Sequence, residues 1–434
     1  MHWILRARLL HTPANPFRGA GALQYVEDGA VLVQAGRIAA SGPFAEVRRS
    51  HPAAPVADRR PGVLLPGFVD THVHFPQLTI IGAMGYPLLE WLQRFTLPAE
   101  TRFLDAQYAR RAARDFLAAL ARNGTTTALV FGSHVPEAQH VFFAEAARSG
   151  LRIISGLALA DQGLVPPLHT TPEQGYRDSL ELARRWHGQG RIRYAVTPRF
   201  ALSTSDAMLA VCRRLLDEIP GSWFQTHLNE NRDEIAAVAR LFPWARDYLH
   251  VYEHHGLVRP QSVFAHDVHP TDRELDALAQ AHATVAHCPT SNAFLGSGLF
   301  PLRRHVERGV RVALGSDVGA GTGFGLFKEG LMAYETQMLL PDGYPLRPAH
   351  LLYLATKAGA EALGLADEVG DLTPGKAADL VLIAPRPGTT LAAVLAAAEG
   401  PDEILGALFA LGGEDSVAQV WVAGETVYER EAAA

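Results

Sequence analysis

Lysine is almost absent from this chain of 434 residues. Lys328, Lys357 and Lys376 are all it has, so arginine carries nearly all the positive charge. Cysteine is as scarce. Cys212 and Cys288 cannot build a disulfide framework, and a reducing cytosol is the expected setting. No apolar run reaches the roughly 18 residues that a membrane-spanning helix needs. The opening MHWILRARLLHTPANP has arginines inside its apolar stretch and no small-residue cleavage pattern, so no signal peptide is expected. Long blocks of like charge are missing, and the net charge is −6. Both points argue against a nucleic-acid or membrane-surface partner. The densest basic stretch, ARRAARD (109–115), falls in a helical pattern and reads as a solvated face. What is present, 48% apolar and 19% charged residues, is the balance of a soluble globular protein with a large core.

The two ends of the chain read alike. GAVLVQAGRIAASGP (29–43) and VAQVWVAGETVYE (417–429) each read as strand, Ala-Gly turn, strand, and ADLVLIAP (378–385) adds a further short strand. Residues 1–65 and 370–434 are therefore expected to meet as one small β-sandwich domain, split by the middle of the chain.

Residues 66–369 alternate short β-rich runs with amphipathic stretches. The runs are 62–74, 125–133, 151–160, 192–200, 222–230, 262–268, 283–289 and 310–318. Among the helical stretches, 105–124 stops at Gly124, and 271–282 opens with a Thr271/Glu274 capping box. Eight strands, each followed by helical sequence, predict an α/β fold of the (β/α)8 TIM-barrel type. An open doubly wound sheet would place a glycine-rich phosphate turn after its first strand, and PGFVDTHVH has none. Segment 75–104 shows no clear helix at its start and reads as a long loop, a form that is often functional.

Barrel chemistry gathers at the C-terminal ends of strands. His72 and His74 end the first run, Arg199 and Phe200 the fourth, His227 and Glu230 the fifth, His266 the sixth and Asp317 the eighth. Side chains at i and i+2 of a strand share one face, so His72 and His74 point inward together. Two buried imidazoles need a partner, and a metal ion is a good one. With His227 and Asp317 they make three nitrogens and an oxygen, a set that suits zinc with one open position. His250, His254, His255, His269, His282 and His305 lack that strand-end context, and His250, His254 and His255 in particular read as surface residues. Cys288 has no base placed for it and reads as a small buried side chain. Ser133 and Ser316 lack a nucleophile-elbow setting.

Seven pieces carry a resemblance: PGFVDTHVHFPQ (66–77), PLLEWLQRFTLPAE (87–100), NGTTTA (123–128), VTPRF (196–200), HLNENRDE (227–234), AHCPTSN (286–292) and GSDV (315–318). Together they resemble the guanine deaminases of the amidohydrolase superfamily. The resemblance covers nearly the whole chain. It implies zinc, one per chain with Fe2+ as the other candidate, held by His72, His74, His227 and Asp317. It implies that His266 holds the reactive water or lies near the metal, and that Glu230 shuttles protons. Gln77, Arg199 and Phe200 are implied to shape a pocket for a small purine, with His227, Glu230 and Asp317 also facing substrate. A cytoplasmic homodimer is implied as well. Dinuclear relatives in the superfamily use a carboxylated lysine from the fourth strand. IRYAVTPRF has none, which leaves a single-metal site. Asn229 stands where some relatives have serine. The expected reaction is hydrolytic deamination of guanine to xanthine and ammonia. The alternatives are another amino-substituted ring (a triazine, pterin or cytosine-like base) and a non-catalytic scaffold of hydrolase descent.

Overall fold

The computed structural model describes residues 2–431. Eight parallel strands form the nearly closed barrel: Phe68–His74, Thr125–Phe131, Arg152–Gly156, Ile192–Pro198, Trp223–Leu228, Ser262–His266, Thr284–His287 and Arg311–Leu314. Ala158–Leu159 adds a short pairing beside the fourth. The helices between them form as their patterns predict. Ala106–Arg122 starts where the Asp105 carboxylate accepts the backbone N–H groups of Gln107 and Tyr108. It buries Ala109, Ala112, Ala113, Phe116, Leu117 and Leu120 on one face, while Arg110, Arg111 and Asp115 stay in water. The Thr271/Glu274 capping box is present at the start of Asp272–Gln280.

The barrel interior is packed, not hollow. Val69, Leu129, Ile154, Ala195, Trp223, Val263, Ala265, Ala286 and Cys288 fill it from the strands, and Ala360 and Leu363 close its lower end. Gly359 permits that closure, since a Cβ there would lie 2.7 Å from the Val69 side chain. Cys288 sits in this core, where burial pushes its thiol well above the usual range, the setting of an inert side chain.

Strands from both ends of the chain share one seven-stranded sheet, ordered 425–429, 417–422, 380–383, 56–66, 2–11, 24–34 and 37–43. The sheet folds over on itself. Trp3 and Trp421 lie three strands apart in that order, about 14 Å in a flat sheet, yet their rings are 5.8 Å apart. The two hairpin turns meet across the fold: Ala35, Gly36, Ala423 and Gly424 all have positive φ, and a Cβ on Gly36 would lie 2.7 Å from the Ala423 carbonyl oxygen. Within the returning segment, Thr390–Ala397 and Pro401–Leu411 are helical, and Phe409 packs on Phe327 of a barrel helix. Arg152 of the third barrel strand donates to Asp379 at 2.7 Å and ties the sheet to the barrel.

Segment 75–104 differs from the expected loop. A turn of 3-10 helix at Phe75–Ile80 is followed by nearly continuous helical backbone over residues 88–104. From Leu88 on, Leu88, Trp91, Leu92, Phe95 and Ala99 recur at i, i+3, i+4, i+7 and i+11, the spacing of one helical face, whereas residues 75–87 ahead of them show no such period and Pro98 interrupts it.

Candidate active site

A bulge in the first barrel strand sets the site's geometry. Asp70 pairs with Ala128 and Val73 with Val130, so three steps on one strand face two on the other. The extra residue reverses the alternation. Val69 points into the lower core, and His72 and His74 point into the mouth. The eighth strand closes against this one beyond its regular end: Asp317 N–H donates to the His72 carbonyl at 2.8 Å, and His74 N–H to that of Val318 at 2.9 Å. Asp317 adopts φ 47°, a left-handed conformation that aspartate tolerates better than most residues.

One ligand atom from each of His72, His74, His227 and Asp317 falls within a group whose members are all within 4.8 Å of one another. Asp317 Oδ1 is 3.2 Å from His72 Nε2 and 3.1 Å from His74 Nε2. His227 Nδ1–H donates to the Arg199 carbonyl at 2.6 Å, which leaves Nε2 as the nitrogen with a free lone pair. Burial lowers the pKa of all three histidines and keeps them neutral. Burial works against the charge on Asp317, but its contacts with His72 and His74 outweigh that and hold it well below the usual range. A buried carboxylate among neutral imidazoles, with lone pairs converging, is the donor set of a divalent cation. The residues fit a metal.

Glu230 and His266 stand beside this group. His266 Nδ1–H donates to Asn292 Oδ1 at 3.0 Å, and its Nε2 lies 3.4 Å from Glu230 Oε2 and 3.7 Å from Asp317 Oδ2. Ser297 Oγ donates to Glu230 Oε1 at 3.2 Å. Burial, then the nearby Glu234 and Asp317, push the Glu230 carboxyl well above its ordinary value, which favours its protonated form. Asn229 takes φ 49° and donates to Asp267 at 2.9 Å, while its carbonyl accepts the N–H groups of Val268 and His269. It thereby stitches the ends of the fifth and sixth strands together, a task serine would do less fully.

A pocket opens on the group. His74, Gln77, Arg199, Phe200, His227, Glu230, His266 and Asp317 line it, so every residue singled out from the sequence except His72 is on its wall. Leu88, Trp91 and Leu92 of the 88–104 segment, with Leu295 and Ala320, supply an apolar cover. All of these lining residues except Leu92 are buried.

Other residues here were given no role from the sequence, although Asp70, Glu100 and Glu234 lie within the segments that carry the resemblance. Asp70 accepts Ser316 Oγ–H at 2.5 Å, Ser316 N–H at 3.0 Å and His72 N–H at 3.2 Å, bracing two ligand-bearing strands. Glu234 accepts the N–H groups of Glu230 and Asn231 and the Tyr248 hydroxyl, and burial pushes its carboxyl up to about 7. Glu100 and His134 sit behind Arg199. His305 is fully buried and 3.0 Å from Asp267. Its partner lies on another strand end, which a local reading of the sequence does not reveal.

Comparison with known proteins agrees with this geometry. The model of the amidohydrolase family matches residues 63–427. The chain belongs to the amidohydrolase family. A bacterial imidazolonepropionase-like composite domain matches residues 29–54, within the terminal sheet. A probable guanine deaminase of Deinococcus radiodurans is 59% identical over 99% of this chain and 100% of its own length. The structure of Escherichia coli guanine deaminase superposes with a TM-score of 0.94 at 39% identity, over 99% of this chain and all of that one. A guanine deaminase of C. acetobutylicum with guanine bound in its active site gives 0.90 at 26% identity, over 99% of this chain and 100% of its own. No helix among the described residues of this amidohydrolase is long and apolar enough to cross a membrane.

Proposed function

We propose that this amidohydrolase removes the amine of guanine by hydrolysis, releasing xanthine and ammonia in purine breakdown. We read the metal as zinc, held by His72, His74, His227 and Asp317. When bound there, zinc supplies Lewis acidity that brings the pKa of water to roughly 7. The observation that carries the reading is Glu230: a buried carboxyl on the wall of the pocket, 3.4 Å from His266 and beside Asp317, where burial raises its hold on a proton.

The chain's own groups divide the work. Asp317, ionised and 3.7 Å from His266 Nε2, accepts a proton from the attacking water, and the two side chains aim its oxygen. Glu230 gives its proton to the ring nitrogen beside the attacked carbon, so the displaced electron pair has a destination. Glu230, now ionised, relays to the amine the proton that Asp317 took from the water; the C–N bond breaks, ammonia leaves, and the hydroxyl proton of the adduct returns to Glu230 as the carbonyl forms. Arg199 spends Nη1 on Glu100 and His134, and its Nε and Nη2, with no partner among the described residues, donate to the purine oxygen. Gln77 meets the ring edge, and Phe200 with Trp91 and Leu295 covers the ring.

Ammonia release by the purified protein from guanine, adenine and an aminotriazine tests this. A site built on hydrogen bonds to an oxygen rejects an analogue lacking it by about 10⁴–10⁵. Guanine is the expected substrate. Equal turnover of adenine, or turnover of the triazine alone, overturns the reading. We also place the protein in the cytoplasm as a homodimer, and sedimentation velocity checks its assembly.

A further inference from the structure

The 88–104 segment contributes more than a cover. At its far end Glu100 is 2% exposed, 99 positions from Arg199 in sequence. Arg199 Nη1 donates to both of its carboxylate oxygens, at 2.9 and 3.0 Å. Gln77 Nε2 donates to Oε1 at 3.2 Å. His134 Nε2 lies 3.3 Å from Oε2 and equally close to Arg199 Nη1. Three side chains from three barrel-end positions therefore converge on one carboxylate, and two of them line the pocket. Burial alone would neutralise Glu100, but Arg199 and His134 hold it ionised, below the usual carboxylate range.

Two consequences follow from this geometry. A free arginine side chain has many rotamers, and anchoring Nη1 at both oxygens leaves Nε and Nη2 aimed in one direction. The Gln77 amide is fixed in one sense as well: Nε2 faces Glu100, and Oε1 accepts the Gly319 N–H at 3.3 Å. Flipping it would set a carbonyl oxygen against a carboxylate.

We propose that Glu100 is a positioning residue for substrate selection: it orients Arg199 and Gln77 so that they recognise the oxygen-bearing edge of the purine. This rests on the pocket reading above. The bland alternative is that Glu100 only anchors its own helical segment.

Binding to the metal-loaded enzyme separates the two, with xanthine, which keeps the 6-oxygen, and 2-hydroxypurine, which lacks it, titrated by calorimetry. Wild type should prefer xanthine by about tenfold or more, the worth of a hydrogen bond to a charged group. Arg199→Met should abolish the preference. Glu100→Gln should reduce it by about tenfold, with metal content unchanged and 2-hydroxypurine binding within about threefold of wild type. Glu100→Asp keeps the charge one methylene shorter and should recover part of the preference. Should Glu100→Gln not fold, Glu100→Asp alone must still show a reduced preference. An unchanged preference in these variants, or equal weakening of both ligands, overturns the positioning role while leaving the pocket reading intact. An unchanged preference in Arg199→Met overturns the pocket reading and the role of Glu100 with it.

Discussion

Replacing Glu230 with glutamine removes one property and little else. The amide matches the carboxyl in size and can keep both contacts, with Ser297 Oγ at 3.2 Å and His266 Nε2 at 3.4 Å. It cannot give and take a proton. Burial, Glu234 and Asp317 push the wild-type Glu230 carboxyl well above the ordinary value and so favour the form that can donate a proton. General acid–base help of this kind is worth about 10²–10⁴ in rate, or about 2.7–5.5 kcal/mol of barrier. Glu230 is outside the ligand group of His72, His74, His227 and Asp317, so metal content should not change. The assay is steady-state ammonia release from guanine beside elemental analysis of the same sample. The expected result is kcat lowered by about 10²–10⁴ with full metal and a KM within about threefold of wild type. Turnover within about tenfold of wild type would refute the shuttle role. Loss of the metal would instead make Glu230 part of its coordination.

Two further changes probe the frame around the site. Asp70→Ala leaves the Ser316 hydroxyl and two backbone N–H groups buried without an acceptor. It should cost about 3 kcal/mol or more of stability, and metal titration of the stripped protein should show affinity weakened at least about tenfold; unchanged affinity would mean that Asp70 does not brace the ligands. His11 accepts the Leu372 N–H at 3.2 Å, and burial pushes its pKa down to about 4. Between that value and the ordinary 6.5 the unfolded chain binds a proton that the folded chain does not. Stability should therefore fall as pH drops from about 6.5 to about 4, by up to about 2–3 kcal/mol from this group, and stay flat above 6.5. Denaturant unfolding of wild type and His11→Asn across that range should show a shallower slope in the variant, and parallel slopes would remove His11 as the cause.

The fold was legible where local pattern decides it. Alternating apolar residues around Ala35-Gly36 and Ala423-Gly424 mark hairpins because few residues other than glycine take positive φ cheaply. The eight β-rich runs stand out because strands buried on both faces are apolar throughout. The ligand group was traceable for a related reason: polar side chains at the ends of such runs have only the barrel mouth to face. Partners chosen by tertiary contact were not legible. Glu100 meets Arg199 across 99 positions, and Asp70 meets Ser316 across 246. The sequence around each carboxylate does not name its partner. The helical path of residues 88–104 was legible only in part: Leu88, Trp91, Leu92 and Phe95 keep the spacing of one helical face, and that face meets Leu295 and Ala320 over the pocket, but Pro98 and the irregular stretch 75–87 ahead of it read as loop.

The central claim is that one divalent cation, held by His72, His74, His227 and Asp317, is required for guanine to react. The direct measurement is metal content per chain by elemental analysis, before and after chelation, with guanine turnover followed on the same samples. The account predicts one equivalent of metal in active protein, loss of turnover in step with its removal, and recovery on adding back zinc. Full turnover by the stripped protein, or two equivalents in the active form, would contradict it.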